Sequence, residues 1–210
     1  MMPHDDGSDD TLDRLEHAEQ LKLQGDHVAA LMILEELLLE DPSNVSALEE
    51  IADNELSLGR HARAEAAAAE AVRLDRESYT GYYILGFLRS REEHWRESTR
   101  QLKTANALKP NNSEILRCLG WSLFNAGKRA QGVVTLERSL NIDKDSVLTL
   151  CDLGVAYLQV RHFSKAIMLF RRALDLEPEN RRAKECLQTT EHLMSLAEPR
   201  RREKAKQAVS

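Results

Sequence analysis

The sequence predicts an all-α protein, built from five consecutive helix hairpins and one further helix towards the C-terminus. Two observations carry this prediction. The chain of 210 residues is dominated by Ala, Leu, Glu, Arg and Lys, which favour helices over strands. It also repeats itself, because the pairs Leu85-Gly86, Leu119-Gly120 and Leu153-Gly154 recur at intervals of 34 residues.

Each period contains two stretches with helical spacing. In the last period, one stretch has apolar residues at i, i+3 and i+7, and the other at i, i+4 and i+7, so each set lies on one face of a helix. These sets are Leu150, Leu153 and Tyr157, then Ala166, Phe170 and Ala173. With the glycine at the eighth place, the chain divides without insertion or deletion into units 11–44, 45–78, 79–112, 113–146 and 147–180.

The repeating unit resembles the tetratricopeptide repeat. In that family a bulky residue, Leu-Gly and Tyr are followed by Ala, Phe, Ala and Pro at these spacings. The likeness covers about 170 of the 210 residues, with His17 where Leu is expected and with Arg76 and Lys144 at the proline place. The resemblance implies a right-handed α-solenoid of five hairpins that stack to bury their apolar faces.

Small residues at two places of the unit predict where the paired helices approach closely. Glycine at the eighth place costs roughly 1 kcal/mol of helix propensity, which close packing against the second helix would offset. The twentieth place, on that second helix, is small in every unit: Ala30, Ala64, Ser98, Gly132 and Ala166. We expect these two places to face each other.

The segments outside the repeats differ in composition. Residues 1–10 form an acidic leader with little apolar surface, which we expect to be disordered. Residues 181–197 predict an amphipathic helix with Ala183, Leu187 and Met194 on one face, suited to capping the last hairpin. Residues 198–210 form a basic tail that we expect to be frayed.

The resemblance also implies where a partner would bind. In the family the first helices line a concave surface, and ligands commonly contact the second, fifth, ninth, twelfth and thirteenth places. Aromatic residues beside guanidinium and amide groups are typical of interface hot spots. The predicted partner-binding residues are therefore Tyr83, Phe87, Arg91, Arg117, Trp121, Asn125, Val155 and Gln159. The alternative is that these rings only complete the packing between neighbouring first helices.

Charge is distributed unevenly along the chain, although the net charge is only −6. Residues 1–78 contain six Lys and Arg against twenty Asp and Glu, whereas residues 181–210 contain eight against four. The acidic and basic ends could attract each other between molecules, which would make the protein a self-assembling homo-oligomeric scaffold. The alternative is an ordinary set of solvated helix faces.

The sequence lacks the common motifs of catalytic, phosphate-binding and metal sites. Phosphate-binding, zinc-protease and nucleophile-elbow patterns do not occur, and the three cysteines are far apart with no CxxC pair. We therefore expect no catalytic residues, no metal site and no cofactor. A small enzyme or regulatory subunit that uses Cys151 or a histidine is the remaining alternative. Nucleic-acid binding is not expected either, because the chain is acidic overall.

Neither a transmembrane run nor a secretory signal is evident in the sequence. We therefore expect a cytoplasmic protein. The function that these features favour is a non-enzymatic adaptor or chaperone-like module, which holds a protein or peptide segment in the concave groove of units three to five.

Overall fold

Eleven α-helices make up the part of the chain that the structure, a computed structural model, describes. This part comprises the backbone of residues 6–207 and the side chains of residues 10–197, and it contains no strand. The helices are α1 (Asp6–Leu23), α2 (His27–Glu40), α3 (Val45–Ser57), α4 (His61–Leu74), α5 (Tyr79–Arg91), α6 (Trp95–Leu108), α7 (Ser113–Asn125), α8 (Arg129–Ile142), α9 (Val147–Gln159), α10 (Phe163–Leu176) and α11 (Arg181–Gln207). The predicted all-α fold of five hairpins and a C-terminal helix is confirmed.

The helices follow the 34-residue period. Helices α3, α5, α7 and α9 begin at the first residues of the second to fifth units. A capping side chain at the last place of each unit explains this regularity, because it accepts a hydrogen bond of 2.9 to 3.3 Å from the backbone N–H three residues later. The capping residues are Asn44, Ser78, Asn112, Ser146 and Asn180.

The turn inside each hairpin uses a left-handed residue at the fifteenth place of the unit. In the first, second and fourth units this residue is Gly25, Gly59 or Gly127, with φ between 72° and 87°. In the third and fifth units it is Glu93 or Arg161, with φ of 60° and 63°. The five turns therefore share one backbone conformation, although only three of them carry the glycine that accommodates it without strain.

The chain divides into two compact units, Met1–Pro110 (unit 1) and Asn111–Ser210 (unit 2). Unit 1 contains α1 to α6, and its core includes the fully buried Ala30, Leu34 and Ala64. Unit 2 contains α7 to α11, and its core includes Leu136 and Phe170. Within each unit every helix packs against the next one along the chain, and the first helices of successive hairpins also contact each other.

Glycine allows the closest contact inside the hairpins, as the sequence predicts. A Cβ atom on Gly120 would lie 2.8 Å from Leu136 Cγ and 2.9 Å from the Leu136 backbone nitrogen. In the other hairpins with this glycine, a Cβ on Gly86 would lie 2.6 Å from Leu102 Cγ, and one on Gly154 would lie 2.5 Å from the Phe170 ring. Real Cβ atoms essentially never approach another heavy atom this closely, so a side chain at any of these three glycines would force the facing residue to move.

Both terminal segments contain more helix than the sequence suggests. Helix α1 begins at Asp6, inside the stretch expected to be disordered, and residues 1–5 lie outside the described residues. Helix α11 begins at Arg181 and continues through Pro199 to Gln207, into the tail that is expected to be frayed.

Candidate partner-binding surfaces

An ion pair in unit 1 brings together two first helices on the side expected to bind a partner. Lys22 of α1 donates from Nζ to Glu50 Oε2 at 2.6 Å and to Asp53 Oδ2 at 3.1 Å, both on α3. Burial by itself lowers the pKa of Lys22, but the two carboxylates raise it by more, so the ammonium stays charged. Lys22 and Asp53 occupy the twelfth and ninth places of their repeat units, so these places of α1 and α3 lie on one side, which we call the unit 1 inner face.

Two predicted aromatic residues lie next to each other on α5. The ring centroids of Tyr83 and Phe87 are 6.3 Å apart, with an angle of 39° between the ring planes. Both side chains pack against the unit 1 core, yet each is only partly buried. Arg91, one turn further along the helix, is exposed. Both residues are thus packed against the core and still partly accessible, which fits an anchoring role as well as a structural one.

In unit 2 the predicted residues lie on α7 and α9. Trp121 and Val155 are both partly buried, and Val155 packs against the unit 2 core. The side-chain amide of Asn125 donates to the Trp121 carbonyl oxygen at 2.8 Å, so part of its hydrogen-bonding capacity is used within α7. Gln159 is exposed. Leu148, the second residue of α9, is 56 % exposed. It offers an apolar side chain that is not among the predicted partner-binding residues.

Arg117 is engaged inside unit 2. Its guanidinium donates to Glu114 on its own helix at 2.8 Å and to Asp152 of α9 at 2.8 Å, and only 12 % of the side chain is exposed. Burial alone lowers the pKa of Arg117, but the neighbouring carboxylates hold it above its ordinary value. Arg182 of α11 donates to the other oxygen of Asp152, also at 2.8 Å. Asp152, which sequence reasoning missed, therefore joins three helices.

A partly buried carboxyl group lies at the contact between α3 and the start of α5. Glu49 of α3 accepts a hydrogen bond of 2.6 Å from Ser78 Oγ, the residue that caps α5. Burial raises the pKa of Glu49, and the bond from Ser78 opposes that shift only in part. Glu49 thus holds the start of α5, the helix that carries Tyr83 and Phe87.

The three cysteines are free thiols whose pKa values burial raises. Cys118 and Cys151 are buried and Cys186 is partly buried, and all three are free thiols. Burial raises the pKa of Cys151 to about 11 and raises that of Cys118 as well. Among the side chains of residues 10–197, no group of three or more Cys, His, Asp and Glu is arranged to hold a metal ion.

Comparison with known protein families gives two matches. Residues 16–79 and residues 148–180 each match a family model described as tetratricopeptide repeat. The first match spans most of the first two predicted units, and the second falls on the fifth. No curated protein matches the chain at a significant level.

Three of the solved structures with a similar fold span most of both chains. TTC0263, a tetratricopeptide repeat protein of Thermus thermophilus, is 21 % identical, with a TM-score of 0.66 over 86 % of this chain and 98 % of that one. PilF of Pseudomonas aeruginosa is 17 % identical, with a TM-score of 0.71 over 92 % and 94 %. YrrB is 20 % identical, with a TM-score of 0.62 over 85 % and 92 %. At these identities the likeness establishes the fold.

In the part of the chain that the structure describes, no helix combines the length and the apolar character needed to cross a bilayer. The predicted cytoplasmic location stays a prediction.

Proposed function

Because the chain is a tetratricopeptide repeat protein, a kind of protein-interaction module, we propose that it binds a segment of a partner protein and catalyses no reaction. The proposed contacts are those predicted from the sequence, on the first helices of units three to five of the repeat. They comprise Tyr83, Phe87 and Arg91 on α5 of unit 1, and Arg117, Trp121, Asn125, Val155 and Gln159 on α7 and α9 of unit 2.

The observation that carries this proposal is the partial exposure of Tyr83, Phe87 and Trp121. Large aromatic side chains that are neither sealed in a core nor fully solvated can bury further surface when a partner docks. Such anchors contribute most of the binding free energy at many interfaces, whereas the polar residues around them mainly fix orientation. Arg91 and Gln159 are the exposed polar groups of this set.

Arg117 has a supporting role in the proposal. Its bonds to Glu114 and Asp152 orient α7 relative to α9, and these helices carry Trp121 and Val155. An ion pair that is already made and largely buried holds the binding face in place before the partner arrives.

The description of one protein with a similar fold supports the proposal of a peptide ligand. YrrB is described as a tetratricopeptide repeat protein with an unusual peptide-binding site. We propose a ligand of the same chemical class here, an extended or helical peptide segment of another protein.

Affinity capture from the native host, followed by titration of the captured partner, tests the proposal. We expect Phe87→Ala and Trp121→Ala each to weaken binding roughly 30-fold, the equivalent of about 2 kcal/mol for a hot-spot residue. Val134→Ala is the matched control, because Val134 is 55 % exposed but lies on α8, a second helix.

Circular dichroism must show unchanged helix content in each variant, since Phe87 also contacts the unit 1 core. Arg91→Ala offers an exposed alternative on the same helix whose folding is not at risk. Partner affinity that is equal in wild type and in both aromatic variants would contradict the proposal.

A further inference from the structure

Helix α1 presents an apolar and acidic stripe that nothing in the described structure covers. Leu12 is 55 % exposed and Leu23 is 78 % exposed, and Glu16 and Glu19 between them are also exposed. These four residues follow i, i+4, i+7 and i+11 spacing and therefore lie on one face of the helix. We call Leu12, Glu16, Glu19 and Leu23 the α1 stripe.

The basic residues of α1 do not neutralise the stripe. The helix sequence contains six Asp and Glu and only two basic residues, Arg14 and Lys22. Arg14 Nη1 lies 2.9 Å from Glu40 of α2, and Lys22 is paired with Glu50 and Asp53 of α3. Each basic group is thus paired with a carboxylate of a neighbouring helix, and the α1 stripe keeps its negative charge.

Helix α11 carries the complementary feature. It spans 27 residues, about twice the 13 or 14 of α2 to α10. Ala183 is fully buried and Leu187 packs against the unit 2 core, whereas Leu193 and Leu196 are 40 % and 56 % exposed. The sequence that follows, residues 198–210, has five Lys and Arg against two Glu.

We propose that the α1 stripe binds the C-terminal half of α11, from Leu193 onwards, of a second copy of this chain. Exposed leucines on both helices would supply the apolar contact, and the negative charge of α1 would attract the net positive charge of the sequence after position 197. Charge complementarity selects this occupant, because every molecule supplies both the acidic and the basic half of the contact. The proposal goes beyond the peptide-binding function. Leu12, Glu19 and Leu23 occupy the second, ninth and thirteenth places of the first repeat unit, and none of them is among the residues proposed to bind the partner peptide.

The geometry of such a contact has a consequence for assembly. The two surfaces differ, so each molecule that uses its α1 stripe keeps a free α11 end, and the contact is heterologous. Repeating the contact therefore does not close a two-fold dimer. It builds an open chain of copies, or a closed ring if the rotation between copies allows one.

Sedimentation equilibrium of the full chain tests the association directly. At low ionic strength we expect the average mass to rise with concentration above the monomer mass of 23.8 kDa. At about 1 M salt the Debye length falls to roughly 3 Å, and the rise should be largely lost. A mass that stays monomeric at every concentration in low salt overturns the proposal.

Paired variants identify the surfaces. A double variant, Glu16→Lys with Glu19→Lys, reverses the charge of the α1 stripe. A second variant lacks residues 198–210 and so loses the basic part of the contact. Each variant alone should remain monomeric. Mixed together they should form a 1:1 complex that cannot grow, because one variant supplies an intact α11 end and the other an intact α1 stripe. Failure of the mixture to associate, when wild type does associate, would also overturn the proposal.

A charge-matched control separates specific contact from net charge. Glu77→Lys with Glu93→Lys makes the same charge change at two exposed carboxylates of unit 1 away from α1, and it should associate like wild type. Circular dichroism establishes that each variant keeps its helices. The outcome is independent of partner capture by Phe87 and Trp121, so this proposal and the proposed function can fail separately.

Discussion

Gly120 of α7 and Gly132 of α8 face each other where the two helices of the fourth hairpin pack closely. A Cβ atom on Gly132 would lie 2.7 Å from the carbonyl oxygen of Gly120 and 2.6 Å from the backbone nitrogen of Phe124. These neighbours are backbone atoms that cannot rotate away. The hairpin therefore depends on two glycines, one on each helix, at places where helix propensity alone would favour alanine.

Replacing Gly132 with Ala tests this relationship by the sign of the effect. Helix propensity predicts that the substitution stabilises the protein by roughly 1 kcal/mol. The overlap with backbone atoms predicts instead a loss of roughly 1–3 kcal/mol. We expect the loss, measured as the free energy of unfolding in urea, and a more stable variant would show that the helices can separate without cost.

At the left-handed turn of the fifth repeat unit, we expect a substitution to glycine to stabilise the protein. Arg161 has φ of 63°, a conformation that costs a side-chain-bearing residue roughly 1–2 kcal/mol. Arg161→Gly should relieve that strain and, after the entropy that glycine loses on folding, stabilise the protein by up to about 1 kcal/mol. Thermal unfolding measures the gain. Gly127→Ala, at the same place of the fourth repeat unit, should lower the melting temperature, because it puts a side chain on a residue with positive φ.

The carboxylate shared by Arg117 and Arg182 should contribute measurably to stability. Asp152 is 4 % exposed and accepts a bond of 2.8 Å from each arginine. Asp152→Asn keeps the shape but removes the charge, and we expect a loss of about 1–3 kcal/mol in the free energy of unfolding. Glu185→Gln breaks the exposed pair with Arg181 and should change stability by less than about 1 kcal/mol. Equal effects of the two substitutions would contradict this assignment.

Glu49 makes stability depend on pH in a defined direction. Burial raises the pKa of Glu49 in the folded protein, so the folded state binds more protons than the unfolded state as pH rises from the ordinary carboxyl pKa to the raised one. Stability falls across that window and stays lower above it. Glu49→Gln keeps an oxygen that can accept from Ser78 Oγ and removes the partly buried charge.

The Glu49→Gln variant should therefore melt above wild type at pH 7, by no more than about 2–4 °C, the shift that 1 kcal/mol produces in a chain of this length. The difference should shrink once the pH falls below the ordinary carboxyl pKa, where Glu49 is neutral in both states. Parallel melting curves at pH 3 and pH 7 check the sign. An advantage of the variant that is the same at both pH values would contradict the explanation.

Thiol chemistry tests the remaining enzymatic alternative. Because burial raises the pKa of Cys151 from 9.0 to about 11, its thiolate fraction at pH 8 should be about 100-fold below that of an ordinary thiol. We expect slow alkylation of Cys151 and Cys118 in the native protein and rapid alkylation of all three cysteines in guanidinium. Fast modification of native Cys151 would restore the possibility that it acts as a nucleophile.

The sequence by itself determined the repeating part of this fold. Glycines and small residues at fixed places, together with turn signals between them, are local features, and the helices of units two to five begin where those features predict. Departures from the pattern are local as well. His17, which stands where Leu is usual, is exposed on α1, and no described helix precedes α1 to require an apolar residue there.

Only the tertiary structure decided how the polar residues are used. Spacing along a helix indicates the face on which Arg117 lies, but its pairing with Asp152, 35 residues away in sequence, depends on the packing of α7 against α9. The same holds for Lys22, which Glu50 and Asp53 neutralise, and for Trp121, whose partial burial depends on its neighbours. Local propensity and periodicity are properties of a short segment, whereas ion pairing and exposure are set by which segments meet.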